Sequence, residues 1–414
     1  MSLFAEVNAE LERQRIYFRG APLPTFVKPH VMARDIEQAW ASDVELVLRA
    51  LESAGHRLLE DPSLRSLLGF RPEADDLLAI EPGYSRLAVV SRPDLVWEGT
   101  EPRLMEINAD SPAMMTFTDR LEEIFLALDP CKSVAAAYGC GQRSRTKSML
   151  DAMLECYRAA GGTRTDPTIA IVDWAGEPTA HELLHTAAEF ERFGCPTVVC
   201  DPREMRLTQS GLEAKGRQID LVQRRVLFPD FLAYAEELSP LVRAYREGKV
   251  CMVNSLRSFI VGNKITLALV STKPGEFGLS DEVAARLRST VPGTKLVTEE
   301  LADTLIAEKD DWVLKGAFGA SGKEIAIGRA TDKREWAQRV AQSTRELTIA
   351  QRFMSVPTYR VPVVEGDNVD LRALYANWNP WMFAGKYAGA MTRVSNRLIV
   401  GITGGGGLLP CIST

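Results

Sequence analysis

Apolar residues near the start of the chain fall at helical spacing. Val44, Val47, Leu48 and Leu51 stand at i, i+3, i+4 and i+7, with Leu58 one heptad later, so the first 80 residues read mainly as helix. The period changes after Ser85. Two short β-like runs, RLAVVSRPDLVW and PRLMEIN, flank a Glu98-Gly99-Thr100 turn signal and predict a β-hairpin. From Thr168 the run TIAIVDW, a helical stretch to Phe193 and then PTVVC give the alternation of an α/β layer with parallel strands. A helix-rich stretch from Asp230 to Gly248 leads into CMVNSLRSFIVGNKITLALV. After Trp312 the pattern turns strand-rich, with one helix near Lys333 to Gln342. The class is therefore α/β, turning α+β in the C-terminal third. Three regions are expected: 1–165 with the hairpin, 166–250 as an α/β unit on the substrate side, and 251–414 for nucleotide binding. No repeat, low-complexity tract or long Pro/Ser linker separates them, so close packing is expected.

Composition narrows the partners. A net charge of -6 with 25% charged residues over 414 positions disfavours nucleic acid and anionic membrane, which need a concentrated basic surface. Small molecules are the expected partners; a homodimer is left open. The seven cysteines (131, 140, 156, 195, 200, 251 and 411) include no CxxC pair, which fits a reducing cytoplasm. The N-terminal MSLFAEVNAELERQR carries charges where a signal peptide needs apolar residues, and no run of about 18 apolar residues occurs. No export or membrane span is expected.

Four polar residues interrupt the apolar hairpin: Arg92 and Asp94 on its first strand, Glu106 and Asn108 on its second. Each pair is two apart and shares a face. With the turn centred on Thr100, Asp94 lies opposite Glu106 and Arg92 opposite Asn108. Opposed Cβ atoms are about 5 Å apart, where two carboxylates repel unless a cation or proton intervenes. Oxygen donors alone suit magnesium. Solvated surface charges, or an Arg92 to Glu106 salt bridge, are the plainer reading. Pro93 removes a ladder donor, so its strand should lie at an edge or carry a bulge.

The segment WVLKGAFGASGKEIAIG reads as strand, glycine-rich turn, strand. Lys315 ends the first strand, and Gly316, Gly319, Ser321 and Gly322 follow in a loop able to lay N–H groups against phosphate. It matches neither the P-loop nor GxGxxG. Lys264 lies in an apolar helical stretch (Phe259, Ile260, Val261, Ile265, Leu267, Leu269) and needs an anionic partner, unless it snorkels to the surface. Gln351 ends the run ELTIAQRF, where its amide could meet an adenine edge. Arg393 sits on a predicted strand before Gly404 to Gly407, a loop whose ordering costs enough entropy to suggest a ligand. HELLH, with His181, Glu182 and His185, fits a zinc-hydrolase pattern but also the exposed face of a helix covering a sheet.

Taken in order, RPD, MEINADSP, NSLRSFIVGNK, VLKGAFGASGKEI, the AQRF strand end and AMTRVSNRLIVGITGGGG resemble the synthetase half of glutathionylspermidine synthase and related circularly permuted ATP-grasp proteins. The likeness covers roughly residues 85 to 410. It implies an ATP-grasp fold with an N-terminal pre-ATP-grasp region and an ATP- and magnesium-dependent ligase joining a carboxylate, of an amino acid or peptide, to an amine. By the same resemblance Asp94, Glu106 and Asn108 bind magnesium, Lys264 and Lys315 contact ATP phosphates, and Gln351 contacts adenine. Arg92 and Arg393 are the cations near the reacting acyl group. The amidase half of the bifunctional relatives has no counterpart, and the resemblance does not reach the substrate contacts. A non-catalytic nucleotide-binding protein on the same fold is the remaining alternative.

Overall fold

In a computed structural model, which describes residues 3–318, 324–366, 368–402 and 405–414, the apolar stripe around Val44 lies on the helix Arg34–Glu60. Trp40, Val44, Val47, Leu51, Ala54 and Leu58 are buried along it. The Trp40 indole N–H donates to the carbonyl of Thr100 at 2.8 Å, pinning this helix to the tip of the hairpin.

Three sheets carry most of the remaining structure. The largest runs in the order His30–Met32, Gly407–Ser413, Lys386–Ser395, Asn368–Phe383, Val90–Glu98, Glu101–Asn108, with Thr358–Glu365 also paired to Asn368–Phe383. It thus draws strands from both the first and the last of the three regions. A parallel sheet holds Cys251–Val253, Leu221–Arg224, Ile169–Val172 and Thr197–Cys200 in that order, with Ala180–Arg192 as the predicted helix between the last two. A third, antiparallel sheet orders Thr294–Leu296, Thr348–Arg352, Trp312–Gly316 and Ile325–Ile327. Lys333–Ser343 is the helix expected beside it, and Trp312, Trp336, Leu305 and Val340 fill a small core of their own. No helix among the described residues is long and apolar enough to cross a membrane.

The hairpin pairs Asp94 with Glu106 and Arg92 with Asn108, as its sequence predicts, but by a different route. The turn is a two-residue one, Gly99-Thr100, between paired Glu98 and Glu101, with Gly99 at φ 58°. Residues beyond it would be out of register by one, except that the ladder slips between Asp94 and Leu95 and leaves Met105 as the extra residue of a bulge. The strand with Pro93 is interior, not an edge. Its pairs with Asn368–Phe383 are Leu95 to Trp378 and Ser91 to Met382, a register that sets Pro93 against Pro380. Neither proline has an N–H, so the ladder lacks donors on both sides of one step.

The apolar stretch around Lys264 is two helices, Ser258–Gly262 and Lys264–Thr272, broken at Asn263. Asn263 caps the second by accepting from the Ile265 N–H at 2.8 Å, so Lys264 is the first helical residue rather than an interior one.

Candidate functional site

Strand alternation brings the polar residues of the large sheet to one face. Asn377 lies directly opposite Arg393, and Asn379, two residues on, points the same way. Arg393 Nε donates to Asn377 Oδ1 (3.3 Å) and Asn379 Oδ1 (3.1 Å), and its Nη2 donates to Asp94 Oδ2 at 2.5 Å. Asp94 Oδ1 accepts from the amides of Asn379 (2.9 Å) and Asn108 (3.3 Å). Both carboxylate oxygens of Asp94 are therefore engaged. The Asn108 amide nitrogen also donates to the Arg92 carbonyl at 3.1 Å, which turns its own oxygen away from this network.

Arg92 is 9% exposed and lies over the Trp381 ring at 5.6 Å. Its Nη1 donates to the Ala113 carbonyl at 2.7 Å. Its Nε, 3.7 Å from Asp94 Oδ1, is buried without a hydrogen-bond partner. Burial pulls the guanidinium down to about 10; Asp94 opposes that shift and Arg393 adds to it. The ion pair made by Arg92 is thus with Asp94, its neighbour on the strand, and not with Glu106.

Lys315 reaches the same region from the antiparallel sheet. Its Nζ donates to Gln351 Oε1 (2.8 Å) and to the carbonyl of Met105 (3.1 Å), the bulged residue. The bulge thus frees a carbonyl that an unbroken ladder would use. Lys315 is 5% exposed, and burial pushes its ammonium down to about 8, with Glu106 pulling upward and Lys264 downward. Lys264 Nζ stands 3.9 Å from Glu106 Oε2. A cation at a helix N-terminus also opposes the helix dipole, an arrangement that invites an anion.

One expected contact is differently engaged, and others fall outside the described residues. Gln351 is fully buried, with its Oε1 holding Lys315 and its Nε2 donating to Thr294 Oγ1 at 3.0 Å. Its amide is spent on the lysine behind the site and has no edge to offer a base. Gly319, Ser321 and Gly322, and Gly404 of the later glycine run, lie outside the described residues.

Two cavities meet at Glu106 and Lys315. The larger, about 220 Å³, also touches Asn108, Ser111, Lys264 and Leu227. The smaller, about 120 Å³, is walled by Val96, Val313, Ile327, Phe353 and Leu398, with Asp94 and Asn377 at one side. Arg92 and Arg393 pair with Asp94, and Lys264 approaches Glu106, which also draws on Lys315; Asp110 and Glu324 add further carboxylates to the lining of the larger cavity. The repulsion expected between Asp94 and Glu106 is thus relieved by side-chain cations.

The HELLH segment is used for packing. Glu182 is buried and accepts from the N–H groups of Met114 (2.8 Å) and Thr116 (3.2 Å) at the start of helix Met115–Ala127. His181 packs edge-on against Tyr17, and His185 Nε2 meets the Arg15 carbonyl at 3.4 Å. The zinc reading is therefore replaced by a helix-capping one. Among the described residues no group of three His, Cys, Asp or Glu is arranged to hold a metal ion.

The sequence reading missed Asn377 and Asn379. Their signal was available: two polar residues, two apart in NWNPW, interrupt an apolar strand just as Arg92 and Asp94 do.

No family model and no curated protein matches the chain. Among solved structures, the glutathione synthetase-like effector of Globodera pallida in its apo form aligns with 100% of this chain and 96% of its own. Its TM-score is 0.63 and its identity 10%. A putative gamma-glutamylcysteine synthetase from Methylobacillus flagellatus aligns with 89% of this chain and 85% of its own at 12% identity, TM-score 0.43. D-alanyl-alanine synthetase A from Vibrio cholerae gives 57% and 69% at 12% identity, TM-score 0.31. The chain has an α/β ATP-grasp fold.

Proposed function

We propose that the chain is an ATP-dependent ligase that activates a carboxylate as its acyl phosphate and joins it to an amine. One observation carries this reading: Lys315 and Arg92 are buried at one site beside Arg393 and Lys264, and burial pushes both below their ordinary range. A desolvated positive charge destabilises a fold, and a polyphosphate that binds beside it relieves that cost.

Glu106 and Asn108 both face the larger cavity with oxygen donors, a set that fits magnesium. Asp94 has both oxygens held by Arg393, Asn379 and Asn108, so we assign it to positioning Arg393 rather than to the metal. Magnesium, when bound there, would draw charge from the phosphate oxygens. Lys264 and Lys315 neutralise the phosphates during transfer, with Gln351 and the Met105 carbonyl holding Lys315 in place. The smaller cavity, mainly apolar, suits the purine.

Arg92 and Arg393 then act on the acyl group. A carboxylate is a poor electrophile until phosphorylated, and both the acyl phosphate and the tetrahedral species formed by amine attack are anionic. Permanently charged guanidinium forks stabilise both. The carboxylate in this reading belongs to an amino acid or a peptide.

The test is ADP formation from ATP and magnesium with amino acids, peptides and polyamines offered in combination, with hydroxylamine present to trap the acyl phosphate as a hydroxamate. A hydroxamate identifies the acid. ATP binding with no ADP from any mixture would replace the ligase by a nucleotide-binding protein.

A further inference from the structure

The helix Lys264–Thr272 starts at the wall of the larger cavity, and the residue that caps it carries an amide. Asn263 Oδ1 accepts from the Ile265 N–H at 2.8 Å, and the Asn263 carbonyl accepts from the Leu267 N–H at 3.3 Å. The first of these bonds fixes which way the amide is turned, with its oxygen toward the helix. Nδ2 is left over. Asn263 is 3% exposed, and Nδ2 is buried with no hydrogen-bond partner among the described residues.

The helix start is also held close to the strand that bears Glu106 and Asn108. A Cβ at Gly262 would stand 3.2 Å from both the Ile107 carbonyl oxygen and the Ala109 nitrogen, the backbone on either side of Asn108, so the missing side chain lets the two segments come this near. Asn263 thus shares one cavity of about 220 Å³ with Lys264, Lys315, Glu106 and Asn108.

The fold alone does not require an amide here. Serine would accept from the same helix N–H and bring no second donor to bury; aspartate would cap as well and suit the positive end of the helix. A buried donor without an acceptor is a net loss to the fold until an acceptor arrives. Beside two lysines, at the end of a helix that favours anions, that acceptor is an anionic oxygen. We infer that Asn263 holds a phosphate oxygen of ATP through Nδ2 while Oδ1 caps the helix, so that one side chain ties the bound anion to the helix start. That the anion is ATP rests on the ligase reading. That the site takes a polyphosphate does not.

The test is titration calorimetry of the full chain with tripolyphosphate and with ATP, without magnesium so that a new carboxylate cannot recruit a metal in exchange. Asn263→Asp keeps the size and the cap but replaces the donor by a charge that repels phosphate; Asn263→Ser keeps the cap and only loses the donor. Affinity for both compounds should fall by about a hundredfold in Asn263→Asp and about tenfold in Asn263→Ser. Thermal unfolding of Asn263→Ser should stay close to wild type because its helix is still capped, and this variant decides the matter should Asn263→Asp unfold. A purely structural role predicts the opposite order, since aspartate is the closer match in shape. Undiminished affinity in folded Asn263→Asp or Asn263→Ser would overturn the proposal, as would a larger loss in Asn263→Ser than in a folded Asn263→Asp. ADP formation by wild type alongside undiminished affinity in Asn263→Asp would keep the ligase and remove this role for Asn263. Tripolyphosphate binding lost in a folded Asn263→Asp, with no ADP from any acid and amine mixture, would keep the anion site and remove the ligase. Failure of wild type to bind either compound would overturn both.

Discussion

Replacing Lys315 by methionine isolates the electrostatic strain on which the proposed chemistry depends. In the unfolded chain its ammonium titrates at the ordinary 10.5; in the fold, burial brings it to about 8. Below pH 8 the group is charged in both states, and burial works against the fold. Between the two values the unfolded chain keeps a proton that the folded chain releases, so stability rises with pH. Applying the linkage relation to these two values, Lys315 contributes a gain of about 2 kcal/mol between pH 7 and pH 9.5. Lys315→Met lacks that gain. Its lost bonds to Gln351 and Met105 change stability by an amount that does not vary with pH over this range, so the difference in slope belongs to the ammonium. The assay is urea unfolding of both proteins across that range. A bound anion favours the charged form, so saturating tripolyphosphate should flatten the wild-type profile toward that of the variant. Parallel profiles for the two ligand-free proteins would refute the reasoning, because Lys315 would then carry no desolvation penalty for a phosphate to relieve.

Arg92→Ala should abolish ADP release while leaving ATP affinity within about twofold, measured by titration calorimetry; unchanged turnover removes Arg92 from the mechanism. Gln351→Leu should weaken ATP and tripolyphosphate alike, by about tenfold, because it loosens Lys315; loss confined to ATP would return Gln351 to the base. Asp94→Asn should lower kcat by about a hundredfold with little change in magnesium dependence, as expected of a group that positions Arg393; a large rise in the magnesium requirement would make it a ligand instead. Glu182→Ala strips the acceptor from two buried N–H groups and should cost about 2–4 kcal/mol in urea unfolding, without altering metal content.

The hairpin was readable because alternation is a local rule: residues two apart share a face whatever lies around them. Its register came out as predicted even though the turn is one residue shorter, since the bulge at Met105 returns the missing residue; Pro93 pointed to an edge or a bulge, and the slip falls one step from it with the extra residue on the facing strand. Pro93 showed the limit of a single-strand argument. Its strand could be interior only because another proline, Pro380, faces it from nearly three hundred residues away. Gln351 shows a similar limit: strand position fixed where its side chain points, but not that Lys315 and Thr294 would engage both ends of the amide. Lys264 was placed in the right segment, yet the Gly262-Asn263 break, a helix stop followed by a cap, makes it a helix start. The HELLH motif failed because a pattern of residue types does not say which way a helix faces. Here Glu182 points inward to another helix terminus.

The strand order of the large sheet also bears on how the protein is made. Gly407–Ser413 lies between His30–Met32 and Lys386–Ser395, and the hairpin with Arg92 and Asp94 joins the same sheet through Asn368–Phe383. A ribosome that has delivered the hairpin must add more than two hundred further residues before Asn379 and Arg393 exist to receive Asp94. Until translation passes Ser413 the sheet lacks the strand that joins His30–Met32 to the rest, so the nascent chain holds its charged residues in water and brings Asp94 against Arg393 only as synthesis of this sheet is completed.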